Sequence, residues 1–206
     1  FSPQWDFFPE YVAQEGIMSL AHIETSDLPL SVSVSDPSRL SCFSVSDRSF
    51  KVVAQKTGRV RITVRNASGT KSAVTQFDIK APHLDLDASC LVLNPDGAIA
   101  STSYRYLDSA GEHLTNVNPS AFDSYLRPVM EAESCFRPVV ASSSVSVDLV
   151  SLMAGGEAIE LGKEYVSVLR AVDCQEVASV EMLLKVKDPF EGMTVKDYGS
   201  LDDYTL

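Results

Sequence analysis

Three arginines at even spacing, Arg59, Arg61 and Arg65, punctuate the segment GRVRITVR, with Val60, Ile62 and Val64 between them. Side chains on an extended strand alternate between faces, so this spacing sets three guanidiniums on one side and three apolar groups on the other. Such a row, with Lys51 and Lys56 near in sequence, offers paired N–H donors to anionic groups such as those of a sulfated or acidic glycan. Tyr104 and Tyr106 stand two apart in STSYRYL, and on one strand face their rings could stack on the apolar face of a sugar. Trp5, Phe7, Phe8 and Tyr11 cluster at the N-terminus and are expected to fill core or to cover a seam between domains.

Catalytic chemistry is not expected. Nucleophilic or acid–base catalysis needs a nucleophile, a base and an orienting group held together. His22, His83 and His113 are scattered, and GxSxG, HExxH, P-loop and dinucleotide patterns are missing. Asp85 and Asp87 offer hard oxygen ligands, but Ca²⁺ takes about six to eight and nothing nearby supplies the rest, so no metal or cofactor is expected. Cys42, Cys90, Cys135 and Cys174 show no CxxC or CxxH spacing. Buried free thiols are the first expectation for them, with one disulfide among the last three as the alternative.

Strands must position these groups. Phe50 to Lys80 reads as three consecutive antiparallel strands: Phe77 and Ile79 repeat the alternation of Val60 to Val64, Gly58 precedes it, and Asn66-Ala-Ser-Gly69 turns after it. Leu30, Val32 and Val34, then Leu40, Cys42 or Phe43, and Val45 read as strand, turn, strand about Ser35-Asp-Pro-Ser38. Further strands are expected at 99–107, 139–153, 164–172 and 180–186, with turns at Asn94–Gly97, Asp108–Gly111 and Ala154–Gly156. One helix competes, over Asn118 to Arg127: Asn118 caps it, Pro119 occupies its first position, Phe122 and Leu126 share a face, and Pro128 ends it.

With 206 residues, 45% of them hydrophobic, the chain is long enough for two domains of roughly 100 residues. Ala81-Pro82-His83 is the expected boundary, giving domains at 1–82 and 83–190 and an acidic tail at 191–206 that is mobile or docks. Charge divides there too: 9 basic against 8 acidic residues in 1–82, and 8 against 20 in 83–206, leave +1 and −12. The acidic half repels nucleic-acid backbones and anionic membranes, which excludes both as expected partners. No run approaches the roughly 20 apolar residues of a membrane-spanning helix. The sequence opens at Phe1, so it is read as a processed product of an exported protein, carried to the cell surface or periplasm, with any lipid anchor on the removed N-terminus.

SVSVSDPSRLSCFSV followed by FKVVAQKTGRVRITVRNASGTKSAVTQFDIK resembles a bacterial immunoglobulin-like domain of the Big type over about residues 10 to 82. Asp36 to Ser38, Gly58, Ile62 to Val64 and Phe77 to Ile79 occupy the places of that family's turn, glycine, alternating strand and closing strand, with Val34 near the position of its usual Trp. IELGKEYVSVLRAVDCQEVASVEMLLKVKD resembles the last two strands of fibronectin type III and related sandwiches, with Tyr165 opening a strand and Ala171 six positions on; Ser167 replaces an apolar residue. The resemblances imply an all-β chain of two tandem immunoglobulin-like β-sandwiches with one short helix in the second, and a Tyr165 hydroxyl bonded to nearby backbone. The expected function is a non-catalytic binding or adhesion module for a glycan or a surface protein. A structural spacer, or a pilus-like assembling subunit, is the alternative.

Overall fold

The computed structural model describes residues 7–191 apart from 22, 24, 98 and 172–177. Trp5, His22, Cys174 and nearly all of the acidic tail lie outside the described residues. The chain is all-β, built from layered β-sheets with one short helical segment among the described residues.

β1 (Glu15–Ser19), β2 (Ser31–Val34), β3 (Leu40–Ser46), β4 (Ser49–Ala54), β5 (Gly58–Arg65) and β6 (Ser72–Ile79) form two three-stranded antiparallel sheets, ordered β1-β4-β3 and β2-β5-β6. β5 and β6 are an uninterrupted hairpin from Gly58 opposite Ile79 to Arg65 opposite Ser72. Met18, Leu40, Phe50, Val52 and Ala54 bury one sheet's inner side; Val60, Ile62, Val64 and Ile79 bury the other's. Each large apolar side chain so buried contributes about 1.5–3 kcal/mol. Phe7 and Phe8 touch both sheets. Phe7 lies so close over Gly16 that a Cβ there would sit 2.3 Å from its ring, and the Phe8 and Phe77 ring centroids are 4.9 Å apart.

One expected pairing is corrected. The segment from Phe50 to Lys80 is not three successive paired strands, because β4 pairs with β1 and β3 and only β5 and β6 are neighbours. Gln55 to Thr57 carry the chain across the sandwich, with Gln55 N and Lys56 N both donating to Arg39 O, at 2.8 and 3.3 Å. The strand, turn and strand expected about Ser35 to Ser38 form as β2 and β3, which lie in different sheets, with Ser38 N donating to Asp36 Oδ1 at 3.0 Å in the turn. Alternation sorts residues onto the two faces of a strand, and it is identical for a hairpin and for a crossover between sheets.

The later strands are β7 (His83–Leu86), β8 (Cys90–Leu93), β9 (Ala100–Leu107), β10 (Pro128–Glu131), β11 (Phe136–Val140), β12 (Ser144–Leu149), β13 (Met153–Ala154), β14 (Glu157–Ala158), β15 (Glu164–Ala171) and β16 (Ser179–Val186). They pair in the orders β11-β12-β9-β7 and β10-β15-β16-β8, with β13 and β14 a small hairpin over Gly155 and Gly156. The helix begins as read: α1 (Pro119–Ala121) is capped by Asn118, whose Oδ1 accepts from Ala121 N at 2.8 Å. It then widens into a π-turn, Phe122–Leu126, closed by Arg127 N donating to Phe122 O at 2.8 Å.

By compactness the chain forms two units. The first comprises the described residues of Phe1–Asp87, Tyr104–Met130 and Leu169–Val180; the second those of Ala88–Ser103, Glu131–Val168 and Glu181–Leu206. In the second, Leu91, Leu93, Phe136, Val145, Val147, Met182, Leu184 and Val186 are buried. The Tyr165 hydroxyl accepts from Glu160 N at 2.8 Å, the backbone bond expected of it, and its ring meets Phe136 edge-on at 5.6 Å. Ser167, 1% exposed on the same strand, has a hydroxyl with no hydrogen-bond partner among the described residues.

Candidate functional site

The outer face of β2-β5-β6 carries the arginine row. Arg59, Arg61 and Arg65 are all exposed and separated by the fully buried Val60, Ile62 and Val64. Cross-strand register places Asp78, Gln76 and Ser72 opposite them on β6, with Val74 opposite Thr63 between. On the other flank Ser31 faces Arg65, Ser33 faces Thr63, and Ser35 exchanges backbone and hydroxyl bonds with the Arg61 main chain at 2.9 and 3.0 Å.

Only Arg59 in this row is matched by an acid: its Nε donates to Asp78 Oδ1 at 3.1 Å, in a pair 69% and 54% exposed that contributes little to stability. Among the described residues the Arg61 and Arg65 guanidiniums form no ion pair. Two unmatched guanidiniums amid serines, a threonine and a glutamine make a flat cationic surface whose neighbours can add hydroxyl and amide hydrogen bonds. Lys51 does not extend it: that residue sits on β4 in the other sheet, with Nζ 2.7 Å from Glu15 Oε2.

The tyrosine site is corrected. Tyr104 and Tyr106 are 5% and 6% exposed, with ring centroids 6.2 Å apart and planes at 84°. Tyr106 packs edge-on against Phe122 at 5.7 Å and its hydroxyl donates to Leu126 O. Burial pushes the Tyr104 phenol above its usual range. β9 alternates as read, with its tyrosines on the inner side, so neither presents a ring face to a sugar. The π-turn explains the choice, since it supplies both the aromatic neighbour and the carbonyl that the phenol needs.

Asp85 and Asp87 converge on one arginine: Arg105 reaches Asp85 Oδ2 at 2.8 Å and Asp87 Oδ1 at 2.9 Å, so both carboxylates are engaged by a guanidinium. Cys42, Cys90 and Cys135 are free thiols, half-buried, exposed and buried in turn. Sequence reasoning left Cys42 and Phe43 as alternatives for the inward position on β3. Leu40 and Cys42 point inward, while Phe43 and Val45 are 57% and 59% exposed. The register is continuous from Leu40 opposite Ala54 to Ser44 opposite Phe50, so Cys42 shares the side of Leu40 and Phe43 the opposite one, and a register shift follows between Ser44 and Ser46.

No protein-family model matches the chain, and no curated protein matches it. Solved structures similar to it include a three-Ig structure of titin domains, at 13% identity and a TM-score of 0.31, covering 89% of this chain and 65% of that one. The S-layer protein SbsC domains 4 and 5 match at 12% identity and 0.31, covering 83% and 76%. The EC1-2 segment of human protocadherin-24 matches at 13% and 0.30, covering 81% and 85%.

Proposed function

We propose that the chain is a non-catalytic binding module of an exported protein, which holds an anionic glycan against the outer face of β2-β5-β6. One observation carries this reading: Arg61 and Arg65 stand exposed two rungs apart on β5, without acidic partners among the described residues. Strand register fixes their spacing, so a chain bearing sulfates or carboxylates meets pre-positioned donors and loses little to ordering them. The face belongs to the sandwich we assign to residues 1–82, near neutral in sequence, and the acidic sandwich assigned to 83–190 acts as its soluble extension.

A structural role, as spacer or assembling subunit, is the second reading, and the burial of Tyr104 and Tyr106 favours it over a sugar site on β9. Affinity for heparin, used as a polyanionic probe at about 0.15 M salt, separates the two. Under the binding reading, Arg61→Glu with Arg65→Glu lowers affinity at least roughly a hundredfold, since two charge-assisted contacts become repulsions. No measurable binding by the unaltered chain, or equal binding by the double variant, favours the spacer.

A further inference from the structure

The other sheet carries a surface that the arginine face does not explain. Residues ahead of α1 are fastened along β1: Glu15 N donates to Asn116 O at 2.7 Å, Asn118 N to Ala13 O at 2.8 Å, and Gln14 bridges to Val117. α1 and the π-turn are thereby laid over the outer side of β4, facing β3. Between them lies an open cleft of about 460 Å³. Val53 and Ala121, 8% and 6% exposed, line its apolar base, and Phe43 and Tyr125 line it from β3 and the π-turn. Ser41, Gln55, Ser120 and Ser124 supply hydroxyls and an amide.

Its electrostatics are neutral. Lys51 is the only charged residue lining the cleft among the described residues, and its ammonium is engaged with Glu15. Asn118 Nδ2 donates to the same carboxylate oxygen at 2.6 Å. The lysine and asparagine bonds hold Glu15 below the usual carboxylate range, so the pair stays ionised and mutually satisfied. A charged ligand would find no uncompensated partner here. The surface matches a molecule with one apolar face and a rim of hydroxyls, of a size that a small-ligand cleft of about 300–1,000 Å³ accepts.

We propose that this cleft binds a neutral hexopyranose, the axial C–H face of the ring stacked on Phe43 and its hydroxyls bonded to Ser120, Ser124 and Tyr125. The inference extends the glycan reading to a second surface and an uncharged sugar, and it stands or falls independently of the arginine face.

Saturation-transfer NMR of the full chain with the methyl pyranosides of glucose, galactose, mannose and N-acetylglucosamine tests it. Saturation of ring C–H protons is expected for at least one of the four, falling about tenfold in Phe43→Ala, where the stacking platform is lost. Ser124→Arg, at an exposed position, fills the cleft without touching the core and is expected to abolish the signal, while Arg61→Glu with Arg65→Glu leaves it unchanged. Absence of transfer to all four sugars, or transfer that survives both Phe43→Ala and Ser124→Arg, overturns the proposal. A signal lost only with the arginines moves the sugar to the other face and also overturns it.

Discussion

Asn66 shows how much one side chain can organise in a fold rich in short polar residues. It is 4% exposed, its Nδ2 reaches Asp27 Oδ2 at 2.6 Å, Thr70 Oγ1 at 3.1 Å and Ser68 Oγ at 3.2 Å, and its Oδ1 accepts from Lys71 N at 2.9 Å. The amide therefore ties the β5–β6 turn to the segment before β2. Asn66→Ala removes the amide's bonds to the half-buried Asp27 and to the exposed turn, and is expected to destabilise the chain by about 1–2 kcal/mol, read as a shift of the urea midpoint; a change within roughly 0.5 kcal/mol would contradict that role. The thiols are ranked at the same scale. Burial pushes Cys42 up to about 11 and also raises Cys135, whereas Cys90 is exposed. Thiolate is the reactive form, so iodoacetamide at about pH 8 should alkylate Cys90 in the native protein and Cys42 and Cys135 only after unfolding, as peptide mass spectrometry reads site by site.

Among the elements, β5 was the most legible in sequence and β3 the least. Strict alternation between buried valines or isoleucine and charged arginines admits one register, and Gly58 marks its start with φ at +121°, where an L side chain is strained. A Cβ at Gly58 would also stand 2.0 Å from Arg39 Nη1, displacing the arginine that bonds both Asp36 and Thr57 O. Gly58→Ala should then cost about 1–3 kcal/mol, with Arg39→Ala partly relieving it in the double variant; simple additivity in denaturant titrations would show that the two do not meet. β3 resisted reading because Cys42 and Phe43 are adjacent and both apolar, so the pattern alone could not say which faced inward. The helix was legible in its cap and first residues, but not in its passage to a π-turn. That widening accompanies the Leu126 carbonyl's bond to Tyr106, a long-range partner that local propensity does not carry. The same blindness misplaced the tyrosines: period two pairs them on a face without saying which side is core.

For the whole molecule, the net charge of −11 and the cationic face on β5 pull in opposite directions. Distant carboxylates are screened beyond a Debye length of about 8 Å at physiological salt, while contacts at the face act within it, so local charge decides what binds. Assignment of strands to opposite sheets, the contacts of Phe7 and Phe8 with both sheets, and the cleft under Phe43 all depend on non-local contacts, and none was readable from the sequence. The arginine row was readable because one strand suffices to make it. Backbone chemical-shift mapping during titration with a heparin oligosaccharide tests the central claim most directly. Saturable shifts centred on Arg61 and Arg65, with Ser33, Ser35 and Gln76 beside them, are the predicted result; the absence of saturable shifts, or their concentration away from β5, would contradict the account.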